Sequence, residues 1–283
     1  MVASALAGAA ILAFLLFPSR ISEEEIAARL PAGFQPDAGE GEILFHMGGC
    51  AACHRDEATA TLAGGAPLET PFGDFYPSNI SPDPKYGIGG WSDADFITAM
   101  VKGVSPSGQH YYPAFPYTSY SRATYADLLH LKAYLMTEAA APMPSRPNDL
   151  SFPFNIRLGN GMWKLLFADM GPFEPDPGQS DEWNRGAYIV NSLGHCSMCH
   201  TPRNIFQAEK KSQPFAGGAP LKEGQKGAPK LVGLKRDSII NGLDEFAGAV
   251  SEKSAMYHVT ISYSNNVPLS DHDAIATYLT SLN

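Results

Sequence analysis

The four cysteines of this 283-residue chain stand in two matching frames, Cys50-Ala51-Ala52-Cys53-His54 and Cys196-Ser197-Met198-Cys199-His200, and none is left over. Two C-x-x-C-H sequences constrain the chain more than any other feature, because spacing and ligand are fixed together. They are the signature of covalent c-type haem attachment, in which each thiol adds to one porphyrin vinyl group and the adjoining histidine places an imidazole nitrogen on the iron. Cys50, Cys53, Cys196 and Cys199 are therefore the candidate attachment residues, His54 and His200 the candidate iron ligands, and two covalently bound haem c groups the expected cofactors. A zinc site made from both pairs would have to bridge far more chain than ribbon spacings allow and would not need histidine after each pair. A thioredoxin-like pair lacks its βαβ context, and plain disulfides would leave both histidines unexplained.

An internal repeat divides the chain around these frames. Gly41-Glu-Ile-Leu-Phe-His-Met-Gly-Gly precedes Cys50 and Gly186-Ala-Tyr-Ile-Val-Asn-Ser-Leu-Gly-His precedes Cys196, each read as the helix that carries its frame. Ala63-Gly-Gly-Ala-Pro-Leu68 recurs identically as residues 216–221. Each half then offers an acidic helix candidate, residues 91–100 and 242–250, and a closing helix with a capping-box pattern, Thr124 to Asp127 and Ser270 to Asp273. Between the halves, residues 140–183 hold seven prolines around the aromatic run Trp163-Lys-Leu-Leu-Phe167, which reads as an ordered linker.

The N-terminal run from Val2 to Phe17 is apolar apart from Ser4 and is followed by Pro18, Arg20 and the acidic Glu23-Glu24-Glu25. At ~1.5 Å per residue it reaches roughly 24 Å, a little short of the ~30 Å hydrocarbon core. Without a basic start or a small-residue cleavage site it reads as an uncleaved membrane anchor, with a cleaved export signal as the rival. That reading makes the chain a single-pass protein of a bacterial inner membrane, its haem domains in the periplasm, since covalent haem attachment takes place outside the cytoplasmic membrane.

Longer motifs resemble a known family. Residues 70–83, Gly87-Ile-Gly-Gly-Trp-Ser-Asp93, His110-Tyr-Tyr-Pro-Ala-Phe-Pro-Tyr117, Trp183-Asn-Arg-Gly-Ala-Tyr188 and the stretch from Gly194 through Cys199-His-Thr-Pro-Arg-Asn204 are similar to the multihaem cytochrome c subunits of membrane-bound bacterial dehydrogenases, the alcohol and gluconate enzymes among them. The resemblance runs from about residue 40 to the end. Those subunits commonly carry three haems, whereas this chain has two attachment frames. The resemblance implies electron transfer in the periplasm from a dehydrogenase catalytic subunit toward quinone or a terminal oxidase.

The sixth iron ligands separate the halves. Met256 is the only methionine after His200, and it is expected in a loop ahead of the closing helix as the thioether ligand of the second haem; His258 and His272 read as surface histidines. In the first half, the loop that often carries methionine in the family has Phe115 instead. Met100 and His110 are the substitutes, and an open iron is the third possibility.

The expected fold is thus mainly α: two class I-like cytochrome c domains in tandem, residues 21–139 and 184–283, with the linker at 140–183 and the transmembrane segment within residues 1–20. With 20 basic against 29 acidic residues and a formal charge of −9, the chain lacks the footprint of a nucleic-acid binder, and a charged partner should be basic. The leading function is an electron carrier; a dihaem peroxidase-like enzyme with an open first haem is the alternative, supported only by the missing methionine at position 115.

Overall fold

The computed structural model describes residues 2–220, 226–244 and 255–282. Its elements in chain order are α1 (Val2–Leu16), α2 (Glu23–Arg29), α3 (Ala38–Met47), α4 (Cys50–His54), β1 (Leu68–Thr70), β2 (Gly73–Phe75), α5 (Asp93–Lys102), α6 (Tyr117–Tyr120), α7 (Tyr125–Leu135), β3 (Asp149–Leu150), α8 (Leu158–Phe167), α9 (Asp181–Asn191), α10 (Ser197–His200), α11 (Arg236–Asp244), α12 (Ala255–Asn266) and α13 (Leu269–Ser281). The described chain is mainly helical, as expected.

Two helix crossings hold the attachment frames, α3 on α7 and α9 on α13. Each turns on a glycine. A Cβ at Gly41 would lie 2.0 Å from the His130 carbonyl oxygen, and one at Gly186 would lie 1.9 Å from that of Ala274. Only a residue without a side chain lets the backbones approach so closely. Around the first crossing Leu44, Phe45, Leu128 and Leu131 are buried, and around the second Ile189, Val190, Ile275 and Leu279. Burying each such side chain contributes about 1.5–3 kcal/mol.

Helix starts follow local chemistry. Ser92 and Asp95 form a reciprocal capping box on α5, and Thr124 caps α7, its Oγ1 accepting from the Asp127 N–H at 3.1 Å. The expected cap at Ser270 does not form. Helix α13 starts at Leu269 directly after Pro268, because proline presets the helical entry, and Asp273 pairs with Arg236 at 2.6 Å. The acidic candidate at 242–250 contributes its first three residues to α11; residues 245–250 lie outside the described residues.

The proline-rich segment packs on both halves. Strand β3 joins β2 to complete a sheet of order β1-β2-β3, and Asn79 Nδ2 donates to the carbonyls of Ala141 and Met143 at 2.8 Å each. Trp163 Nε1 donates to the Phe206 carbonyl at 2.7 Å, and Phe167 stacks on Phe206 with centroids 5.3 Å apart.

The N-terminal expectation is overturned. No helix among the described residues is long and apolar enough to cross a membrane. The 15 residues of α1 span only about 22 Å. Two of its residues also meet other elements: Leu15 closes on Gly161 of α8, and the Phe14 carbonyl accepts a hydrogen bond from His110 Nε2 at 3.1 Å. The single-pass inner-membrane placement falls with the span.

Candidate haem sites

Each frame begins as a backbone turn. Helix α3 ends at Gly48, and Gly49, with φ +58°, starts the single turn of α4 that holds Cys50, Cys53 and His54. In the second half, Gly194 and His195 lead into Cys196, which precedes the turn holding Cys199 and His200. The two glycines of the repeated stretch lie against the end of each turn. Gly64 and Gly65 N–H groups donate to the His54 and Cys53 carbonyls at 2.9 and 3.0 Å, and the Gly217 N–H donates to the His200 carbonyl at 2.8 Å. A Cβ at Gly65 would sit 2.4 Å from the Cys53 carbonyl oxygen, and one at Gly218 would sit 2.0 Å from that of Cys199.

Both histidines are oriented in the same way. His54 Nδ1 bonds to the Ser78 carbonyl and His200 Nδ1 to the Pro229 carbonyl, each at 2.7 Å. A carbonyl only accepts, so the proton sits on Nδ1 and the lone pair on Nε2. That is the tautomer a metal requires, fixed by the bond at the other nitrogen. Burial lowers the pKa of both rings, which favours the neutral, ligating form. Burial pushes Cys50 and Cys196 up to about 12, where a reactive CxxC thiol would be depressed, and the four cysteines form no disulfide. Thiols held for addition to a vinyl group and an imidazole presented through Nε2 fit a covalent haem at each frame.

The two frames are neighbours. Burial and then the nearby Cys199 thiol raise the pKa of the Cys53 thiol. Helix α12 of the second half packs on both α3 and α4. Tyr120 lies beside Cys50 and Cys53, and Tyr263 beside Cys196; in both, burial is the main cause of a strongly raised hydroxyl pKa and the thiols add to it.

The sixth-ligand candidates are dispersed. Met100 is buried on α5 within the apolar core. Met256 is half-buried, and it opens α12 rather than lying in a loop. His258 is exposed as expected, but His272 is a core residue, 1 % exposed, and not a surface histidine. Its place in the first turn of α13 faces inward, where its ring lies 5.9 Å from that of Tyr263. His110 is committed elsewhere: Nε2 donates to Phe14 of α1, and Nδ1 accepts from Lys164 Nζ at 3.1 Å. Burial and then the Lys164 charge lower its pKa. Phe115 packs between Tyr111 and Tyr120, with centroids 5.6 and 5.4 Å away.

Sequence reasoning did not single out His195, Tyr120 or Tyr263. The position of His195 directly before Cys196 was the one available signal. The Ser78 and Pro229 acceptors are backbone carbonyls, which no residue type advertises.

No protein-family model matches the chain. A relative described as "Diheme cytochrome c-type" from Cereibacter sphaeroides is 41% identical over 261 residues, covering 88% of this chain and 86% of the relative. The chain belongs to the dihaem c-type cytochromes. It carries two covalently bound haem c groups and is an electron carrier, not an enzyme. The fructose dehydrogenase cytochrome subunit of Gluconobacter japonicus is 34% identical over 263 residues, 88% of this chain and 53% of that subunit. A nicotinate dehydrogenase subunit of Pseudomonas putida is 41% identical over 250 residues, 86% of this chain but 21% of that protein. The chain therefore spans about half of one of these subunits and a fifth of the other. Cytochrome c subunits of quinone alcohol dehydrogenase and of gluconate 2-dehydrogenase are further relatives, in keeping with the resemblance in its motifs.

Proposed function

We propose that the chain is the electron-relay subunit of a periplasmic dehydrogenase, built as two class I-like cytochrome c domains in tandem at residues 21–139 and 184–283 and joined by residues 140–183. Cys50 and Cys53 hold the first haem with His54 on its iron, and Cys196 and Cys199 hold the second with His200. Each haem iron supplies one-electron exchange between its ferrous and ferric states. The chain's own residues orient and insulate. The carbonyls of Ser78 and Pro229 fix the two imidazoles, while the packed helix crossings exclude water behind each frame. Met256 would supply the sixth ligand of the second haem and Met100 that of the first. His110 is set aside because both its ring nitrogens are engaged by Phe14 and Lys164.

The observation that carries this reading is the matched pair of Nδ1-to-carbonyl bonds, 2.7 Å in each half. The dehydrogenase partner is supported by relatives that are themselves named dehydrogenase subunits. The formal charge of −9 favours a basic docking face on that partner, and covalent haem attachment outside the cytoplasmic membrane supports the periplasm. Electrons would pass onward to quinone or a terminal oxidase.

The test is the mass of the denatured chain after acid-acetone extraction, expected to show two retained haems; one or none overturns the assignment of the frames. In the oxidised protein, Met256→Ala should remove about half of the methionine-to-iron charge-transfer absorption and Met100→Ala the remainder, because a lost thioether changes the iron's electronics. If His110→Ala removes a ligand instead, the Met100 assignment is wrong.

A further inference from the structure

His195 has φ +36°, in the left-handed region, while the corresponding place ahead of Cys50 is held by Gly49 at +58°. A glycine would adopt this turn with less strain, and it would lack the side chain that His195 carries. That side chain crosses to the other half. His195 Nε2 donates to the Gly48 carbonyl at 3.1 Å, and its ring stands edge-on to Tyr120, centroids 5.7 Å apart at 71°. Tyr120 is the aromatic residue beside Cys50 and Cys53.

Two further bonds reach the same turn. The Tyr263 hydroxyl donates to the Met47 carbonyl at 3.0 Å, and His46 Nδ1 and Ser262 Oγ are 2.9 Å apart. Three consecutive residues leading to the first frame, His46, Met47 and Gly48, are thus bonded from the second half. His195 alone among their partners is also part of the turn that delivers the second frame. A tie through His195 joins the two attachment turns, Gly48 to Cys50 on one side and His195 to Cys196 on the other.

We propose that His195 is a positioning residue that holds the two attachment frames against each other and so sets the rate of electron exchange between the two haems. This rests on the assignment of one haem to each frame. The step moves one electron from one iron to the other; no bond forms or breaks, and His195 keeps its proton on Nε2 throughout. Electron exchange falls steeply when separation or orientation is loosened, so a fixed junction favours transfer within the chain over encounters between chains.

The experiment uses the full, haem-loaded chain, oxidised and then given less than one electron per molecule by photoreduced deazaflavin, with relaxation between the haems followed by absorbance. His195→Gly relieves the backbone and removes the ring; it should retain two haems and relax about five-fold or more slowly than wild type. His195→Gln, whose amide can donate to Gly48, should recover most of the rate. Tyr263→Phe, which loses one hydroxyl, should slow relaxation by about two-fold. A His195→Gly chain that holds two haems and relaxes at the wild-type rate overturns the proposal, even if it unfolds at a lower temperature. If His195→Gly does not fold, an unchanged rate in Tyr263→Phe overturns it instead. Fewer than two haems in the wild-type mass would refute the frame assignment and not this inference, and the mass is measured first.

Discussion

The two halves deliver the same five-residue frame from different turns and brace it with different neighbours. The first frame follows Gly48-Gly49, with α12 of the other half packed on α3 and α4; the second follows Gly194-His195, whose imidazole reaches back to the Gly48 carbonyl. Yet the parts that handle the imidazole coincide, down to the glycine behind each frame and the carbonyl on each Nδ1. The local chemistry of attachment tolerates little variation, whereas the surroundings, which set sixth ligand, contacts and partners, are free to diverge.

The largest effect that would break this equivalence comes from the frames themselves. Replacing Cys50 and Cys53 together by Ala should remove one haem of the two, and replacing Cys196 and Cys199 should remove the other, each read by mass. Loss of both haems from either double variant would mean that the halves do not load independently.

Next come the crossing glycines. Gly41→Ala and Gly186→Ala each drive a Cβ to about 2 Å from a backbone oxygen that cannot swing aside, so each should cost roughly 3 kcal/mol and lower Tm by at least ~5 °C. Equal losses sharpen the equivalence of the two crossings; a loss in only one half breaks it.

A smaller, pH-dependent effect belongs to the seam between the proline-rich segment and the first half. Lys164 is buried, donates to the carbonyls of Lys102 and Gly103 and to His110, and is lowered to about 8 by burial and then by the Lys102 charge. Its folded pKa lies below its unfolded value of 10.5, so the unfolded chain binds the extra proton between those limits. Its contribution to stability is therefore present above pH 10.5 and lost as pH falls through about 8. Relative to Lys164→Met, wild type should gain stability from pH 8 to 10.5 in denaturant titrations; parallel curves would refute the shift.

The smallest change tests how the halves are joined away from the frames. The Tyr188 hydroxyl on α9 donates to Asp127 of α7 and accepts from the Thr124 N–H at 3.0 Å. Tyr188→Phe should cost about 1 kcal/mol, seen as a lower denaturant midpoint with unchanged haem spectra. A spectral change would place this contact closer to the haem environment than the geometry has it.

Much of the candidate site could be read from particular residues. Cys50, Cys53 and His54 with their counterparts in the second half named the cofactor, because covalent attachment fixes residue types at a local spacing. The runs opening at Gly41 and Gly186 were legible as the helices that carry the frames, and Thr124 marked a helix start, since caps act within a turn. Where the sequence misled, the deciding contact was distant. Val2 to Phe17 is apolar enough to suggest a membrane, but α1 is short and its Phe14 and Leu15 meet His110 and Gly161 far along the chain. His272 looked like a polar residue on a helix surface and is buried because α13 turns that face inward.

The sequence by itself determined the number of haems and the mainly helical class, both of which depend on chemistry within a few residues. Only the tertiary structure decided that the two frames are neighbours, that His110 is engaged by Lys164, and that His195 reaches Gly48. Those facts depend on which of many possible partners a side chain meets after the chain has folded, and neither residue type nor local spacing encodes such a choice.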